Sequence, residues 1–409
     1  MSFLPALRHN HWTNNPMILL DRPYVSDFLM NTIAENRLPV VMTDAARELG
    51  LVSGPSVMSE QEAIESARAD HLCGGLKLYT NSENALGWIS ENLGFTELPE
   101  KIELFKNKAR FRKLTSSLFP DFFYREVSAT ELDDLDLTKL PSPFIIKPNV
   151  GFFSLGVFKI NTRQQWQEAL ISLKQGMTAA QGIYPKEVLD TTSFIIEQYV
   201  EGDEFAIDAY FDADGRPVIL NILKHVFSSQ DDVGDRIYTT SKSIIEENLD
   251  RFTEFLTEMG RRTCVKNFPV HVELRLTLGG DLFPIEVNPL RFGGWCTTAD
   301  LTWHAFGFNP YLYFIHGQHP DWGQILSDRA GRLYSIIVLN NSTGFDLEQV
   351  LSFDHDQLLT NFKNPLELRK VDHRKFGIFG FLFVETCEKD RGELEGILQS
   401  DLGEFITTT

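Results

Sequence analysis

The segment 271–294, HVELRLTLGGDLFPIEVNPLRFGG, holds the residues whose types and spacing are best suited to chemistry. Two alternating stretches, 271–277 and 282–288, flank Gly279-Gly280 and predict a β-hairpin with a tight turn. With the glycines as a two-residue loop, Leu278 faces Asp281, Glu273 faces Glu286 and His271 faces Asn288. Side chains alternate across a strand, so His271, Glu273, Arg275, Glu286 and Asn288 share one face. Val272, Leu274, Phe283, Ile285 and Val287 then turn to a core. Two carboxylates opposed across a ladder repel unless a cation lies between them. Glu273, Glu286 and the Asn288 amide oxygen are hard donors of the kind Mg²⁺ takes while leaving positions for water and phosphate. The alternative is a solvated hairpin face on which Arg275 offsets the carboxylates.

Three further segments carry chemistry of a related kind. FIIKPNVGFFSLGVFKI puts Lys147 at the end of a buried strand, ahead of a loop with Gly151, Ser154 and Gly156. A lysine there can meet phosphate oxygens, and glycines let backbone N–H groups approach them. It is not a Walker loop, because Val157-Phe158 stands where Lys-Ser/Thr is required. A hairpin turn with a lysine reaching solvent is the plainer alternative. NKARFRKL places Lys108 and Arg112 on one helical face. FIIEQYVEGDEFAID ends a strand at Glu197, offers backbone at Gln198, Tyr199 and Val200 to a base edge, and brings in Glu204 as an acceptor for ribose hydroxyls or as an ordinary acidic turn.

The elements that must position these groups read as a mixed α/β chain. Strands are expected at 17–20, 40–42 and 76–79, with helices over 25–36 and 83–93, a small doubly wound unit spanning 1–104. It has no glycine fingerprint after its first strand, which disfavours a dinucleotide site. A unit over 105–200 has a basic helix near 107–117, strands 144–148 and 156–160, a helix over 163–174 and a strand 194–200. A unit over 201–330 has a hairpin of strands 204–212 and 218–225 turning at Asp214-Gly215, a polar loop 228–242, a helix 244–262 and the acidic hairpin. The loop, with Asp231, Asp232, Asp235 and Arg236, reads as a mobile lid or as plain surface. The segment 331–409 adds strands at 333–339 and 376–384 with short polar helices, an α+β extension. Trp295, Cys296 and Trp303 line a pocket or belong to the core of the next helix; His271 reads as a cross-strand structural histidine or as a group supporting Asn288 from behind, and His225 and His304 as core or surface histidines.

Composition sets limits. A net charge of −19 repels polyanions, so neither nucleic acid nor an anionic membrane surface is expected as a partner. Cys73, Cys264, Cys296 and Cys387 are isolated, which argues against a zinc site or a disulfide framework and fits a reducing cytoplasm. The N-terminal MSFLPALRHNHW lacks a signal-peptide pattern, and the most apolar run, 376–384, is too short to span a bilayer.

Taken in order, a lysine helix, a strand–Lys–glycine loop, E-x-x-V-x-G-x-E and a Glu…Glu-x-Asn hairpin resemble the ATP-grasp superfamily over about residues 105–310, with a matching pre-ATP-grasp, Rossmann-like domain before them. D-alanine–D-alanine ligase, biotin carboxylase and the L-amino acid ligases belong to that superfamily. The resemblance implies ATP with Mg²⁺ or Mn²⁺, and a small-molecule carboxylate and amine joined through an acyl phosphate. It gives Lys108 and Lys147 to the phosphates and Glu197–Val200 to adenine. Glu204 falls to ribose, Glu273, Glu286 and Asn288 to the metal, and Arg291 with Gly293-Gly294 to the substrate carboxylate and acyl phosphate. Arg275 touches phosphate or braces a ligand, and a homodimer would fit the family. Two departures stand out. Leu290 intervenes where members often read N-P-R, and Phe152 and Phe153 occupy the glycine loop where small residues are usual. A small-molecule kinase or a non-catalytic regulatory nucleotide binder would use the same fold.

Overall fold

The computed structural model describes residues 16–50, 57–72, 75–151, 156–180, 190–228, 234 and 236–408. Among them, strands Met17–Leu19 (β1), Val40–Val41 (β2), Val57–Met58 (β3) and Leu78–Thr80 (β4) form a parallel sheet in the order β3-β2-β1-β4. Strands β1, β2 and β4 are buried on both faces, as parallel strands covered by helices must be. Helix Asp27–Asn36 begins where Ser26 Oγ accepts from Leu29 N at 3.1 Å. The helix expected over 83–93 starts as a 3₁₀ turn, Glu83–Ala85, and continues as Leu86–Asn92. β3 was not anticipated, since two residues carry no readable period.

A second sheet joins Tyr124–Ser128 (β5), Phe144–Val150 (β6), Phe158–Ile160 (β7) and Asp190–Gln198 (β8) in the antiparallel order β5-β8-β6-β7. Helix Arg163–Ala180 closes its core, in which Trp166 and Leu173 pack with Phe144, Ile146, Phe194 and Ile196. β5 escapes sequence reading because only Val127 of its five residues is fully buried.

The largest sheet has eight antiparallel strands among the described residues. They are Asp203–Phe211 (β9), Pro217–Val226 (β10), Ile237–Ser241 (β11), Phe268–Leu276 (β12), Leu282–Pro289 (β13), Arg332–Asn340 (β14), Pro365–Lys370 (β16) and Ile378–Cys387 (β17). Their order is β13-β12-β9-β10-β11-β14-β17-β16, and Val350–Phe353 (β15) pairs separately with Ile406–Thr408 (β18). Strands of the C-terminal segment thus continue the sheet that carries the acidic hairpin.

β11 corrects the expectation of a loop over 228–242. Its Thr-Thr-Ser reads as polar, yet Thr239, Thr240 and Ser241 are buried, and Thr240 Oγ1 donates to Asn221 Oδ1 at 2.9 Å. Hydroxyls paired inside a sheet are compatible with a core, which composition alone does not reveal. Ser241 then caps helix Lys242–Thr263, whose apolar face buries Ile245, Phe252, Leu256 and Met259. Arg236 is no lid residue: it is buried and bonds Asn340 Oδ1, Ser342 Oγ and the Ile397 carbonyl. Asp231, Asp232 and Asp235 lie outside the described residues. No helix among the described residues is long and apolar enough to cross a membrane.

Candidate active site

The acidic hairpin has the expected pairs by an unexpected route. Glu273 faces Glu286 and His271 faces Asn288. The turn, however, holds three residues rather than two: Thr277 N donates to Asp281 O at 3.0 Å, and Leu278, Gly279 and Gly280 form the loop. Gly280 adopts φ +90°, the left-handed position such loops reserve for glycine. This slips the register by one, pairing Leu276 with Leu282, and a β-bulge between Glu273 and Leu274 on one strand and Pro284 and Glu286 on the other restores it. The bulge also corrects the core assignment. Val272, Leu274 and Val287 are fully buried, but Phe283 and Ile285 line the cleft.

That cleft has a volume of about 810 Å³ and lies between the N-terminal sheet, the β5–β8 sheet and the eight-stranded sheet. Each basic side chain in its depth is matched to a carboxylate. Asn107 caps helix Lys108–Thr115, from which Lys108 reaches Glu286 (Nζ–Oε2 2.9 Å) and Arg112 reaches Glu197 (Nε–Oε1 2.5 Å). Lys147, from β6, bonds the other oxygen of Glu197 at 2.9 Å. Burial would raise the Glu197 carboxyl, but Arg112 and Lys147 bring it down to about 2. Burial lowers Lys147 in spite of its partner. Arg112 Nη1 is buried with no hydrogen-bond partner among the described residues.

Glu273 and Glu286 differ in environment. Against the burial that raises both, Lys108 and Lys106 hold Glu286 far below the usual carboxylate range. Glu273 is raised by burial and by the charge of Glu286, although His271 donates toward it. His271 bonds Asp208 through Nδ1 at 2.7 Å and lies 3.6 Å from Glu273 through Nε2. Burial would lower this imidazole, but the two acidic partners lift it to about 9. Among the described residues no three His, Cys, Asp or Glu side chains form a metal cluster. Two carboxylates, Glu273 and Glu286, and the Asn288 amide oxygen do line the cleft together, a donor set that would suit a hard divalent ion keeping several waters. A cation there would also relieve the repulsion that raises Glu273.

At the hinge, residues 197–200, where β8 of one sheet leads toward β9 of the other, Gln198 and Tyr199 donate their N–H groups to Phe123 O and Pro143 O, and Val200 O accepts from Arg275 at 2.9 Å. The peptide joining Tyr199 to Val200 has no backbone partner among the described residues. Glu204 is gripped by Arg275 at 2.9 Å and approached by His225 at 3.4 Å. Arg275 thus braces Glu204 and the hinge, while His225 is buried and stacked on Tyr238. His304 binds Glu367 outside the cleft.

The turn after β13 forms a tight corner. Leu290, the inserted residue, is left-handed (φ 63°), fully buried, and accepts from Thr80 N at 2.7 Å, so it ties the hairpin to the N-terminal sheet. Arg291 is bound by Glu83 and donates to Phe292 O at 2.7 Å. Gly293 N donates to Asp208 Oδ1 (3.0 Å) and Thr298 Oγ1 (2.8 Å), so that amide is not available to an oxyanion. A Cβ at Gly293 would lie 2.2 Å from Thr298 Oγ1. Trp295 and Cys296 follow with φ of 57° and 59°, a strained bend of the kind that collects at functional sites. Trp295 lines the cleft, Cys296 is buried behind it, and Trp303 stacks on Phe28 outside it.

Gly151 also lines the cleft, Gly156 packs against Pro148 just beyond it, and Phe152, Phe153 and Ser154 lie outside the described residues. Sequence reading missed Lys106, Glu83 and Asp208. Lys106 Nζ bonds Glu83 at 2.5 Å and Asn288 Oδ1 at 3.3 Å, and is almost wholly buried. Its only signal was a lysine beside Phe105 at the end of an amphipathic helix.

Residues 140–299 match the model of a family described as an ATP-grasp domain. No curated protein sequence matches the chain. Among solved structures, the chain is similar to an L-amino acid ligase from Bacillus licheniformis, with a TM-score of 0.66, 17% identity, and 97% of this chain and 99% of that one covered. It is also similar to an N5-carboxyaminoimidazole ribonucleotide synthetase from Thermotoga maritima (TM-score 0.60, 13% identity, coverage 96% and 99%). A biotin carboxylase from Campylobacter jejuni, solved as a β,γ-ATP complex, gives 0.59, 13%, and 90% and 87%.

Proposed function

We propose that this chain, which has the ATP-grasp fold, is an ATP-dependent, ADP-forming ligase that joins a small carboxylate to an amine through an acyl phosphate. The observation that carries the reading is the convergence on one cleft of Lys108, Lys147, Glu273, Glu286 and Asn288 with the hinge at Glu197–Val200. A carboxylate is a poor electrophile. Attack of its oxygen on the γ-phosphorus of ATP, with loss of ADP, makes it reactive. The amine then attacks the acyl carbon, phosphate leaves and the amine gives up a proton.

Phosphoryl transfer asks mainly for positioning and charge neutralisation. Among the described residues, six basic side chains in the depth of this region (Lys106, Lys108, Arg112, Lys147, Arg275, Arg291) stand among five carboxylates (Glu83, Glu197, Glu204, Glu273, Glu286). Such a lining is close to neutral and cannot alone balance a triphosphate. Mg²⁺ or Mn²⁺ held by Glu273, Glu286 and Asn288 would supply the missing charge at the β- and γ-phosphates. Lys108 and Lys147 orient phosphate oxygens. Glu204, fixed by Arg275, receives the ribose, and the Tyr199–Val200 peptide meets the base. Arg291, fixed by Glu83, orients the substrate carboxylate. With Gly293 N–H committed to Asp208 and Thr298, the Gly294 N–H is the donor left to the oxyanion of the second step.

The test is chromatography of nucleotide products with ATP, Mg²⁺ and amino acids supplied singly and in pairs, with Glu273→Ala/Glu286→Ala as the blank. ADP that requires both a carboxylate and an amine supports ligation. ADP with one substrate alone indicates phosphoryl transfer without ligation, and AMP excludes the acyl-phosphate route.

A further inference from the structure

Among the described residues, the deep cations of the cleft are all neutralised by carboxylates, but one cation on its wall is not. Lys375, on the helical turn His373–Phe376, lines the cleft, is exposed, and has no carboxylate partner among the described residues. Its Nζ lies 5.0 Å from the centroid of the Phe376 ring. Phe376 meets Trp295 edge-on at 5.1 Å, and Trp295 directly follows the Gly293-Gly294 corner. Lys375 is thereby linked, ring by ring, to the place where the second chemical step occurs in the reading above.

The wall beside it is apolar, made by Trp295, Phe376, Ile378, Phe381, Ile336 and Val338. Trp295 packs on Phe381 at 5.4 Å. An apolar wall with one uncompensated cation suits a molecule that has an apolar side chain and one anionic group. Joining two amino acids brings two carboxylates into one cleft, and only one is to be phosphorylated. The other needs a counter-charge away from the metal and the phosphate-binding lysines, or it would compete for them.

We propose that Lys375 is that counter-charge, which makes it a specificity-determining residue, and that the amine substrate is an apolar α-amino acid whose carboxylate it binds. The inference rests on the ligase reading for its chemistry, but the subsite has its own readout. Calorimetric binding of L-phenylalanine and L-phenylalaninamide to the full chain, with ADP and Mg²⁺ present, compares ligands that differ in the carboxylate. The wild-type chain prefers the acid by about tenfold, the scale of one charge-assisted contact. Lys375→Met abolishes that preference, Lys375→Arg keeps it, and Lys375→Glu reverses it in favour of the amide. Equal binding of acid and amide by the wild type, no binding of either, or equal weakening of both by Lys375→Met would overturn the proposal.

ADP release from the same proteins separates the two claims. If turnover occurs and its KM for the amino acid is unchanged in Lys375→Met, the subsite fails and ligation stands. A preference abolished by Lys375→Met, in a chain that releases no ADP with any pair, sinks the ligase reading and leaves the subsite.

Discussion

Replacing Glu197 by glutamine removes the one carboxylate shared by Arg112 and Lys147, both buried. The shape of the side chain is kept, so the change is electrostatic. Its size follows from the ionisation of Glu197, which shifts from an ordinary value of 4.5 to about 2 in the folded chain. At about 1.4 kcal/mol for each tenfold change in proton affinity, the charged form contributes roughly 3 kcal/mol. That agrees with the roughly 3–5 kcal/mol lost when one partner of a buried ion pair is removed. The sign over pH is set by a depressed carboxyl. Its contribution is complete above the unfolded value of 4.5 and is lost as pH falls toward about 2. Urea unfolding followed by intrinsic fluorescence would show Glu197→Gln less stable than wild type by roughly 3 kcal/mol at pH 7. The gap narrows by roughly 1 kcal/mol at pH 3.5, where the unfolded wild-type carboxyl is mostly protonated. A variant within about 0.5 kcal/mol of wild type at pH 7, or a gap that ignores pH, would refute the assignment of Glu197 as the shared counter-ion.

Other outcomes follow from the same geometry. Glu83→Ala leaves Lys106 and Arg291 buried without their common partner, so stability falls by about 3–5 kcal/mol, read as a lowered denaturation midpoint. Glu286→Ala removes a proposed metal donor and strands Lys108; on the ligase reading ADP release falls about a hundredfold or more, and EDTA brings wild type to the same level. Gly293→Ala drives a methyl group into Thr298, costing about 1–3 kcal/mol in a thermal melt, whereas Gly279→Ala, with 3.6 Å of clearance in the hairpin loop, leaves the melt unchanged.

What could be read from the chain alone is what local stereochemistry enforces. The side-chain period of two placed Glu273, Glu286 and Asn288 on one face, and the helical period placed Lys108 beside Arg112, whatever the rest of the chain did. Even there the route differed from the expectation, because a three-residue turn and a bulge cancel one another along the hairpin. Tertiary structure alone decided the partners. Glu83 meets Arg291 across 208 residues and Lys106 meets Asn288 across 182, and no local pattern encodes separations of that length. The same holds for the nearly neutral balance of the cleft, for Thr240 buried in a sheet, and for Lys375 left without a carboxylate among the described residues. Covalent geometry repeats along the chain and is written in its sequence. Charge pairing and burial depend on which surfaces meet, and that is settled only when the sheets pack.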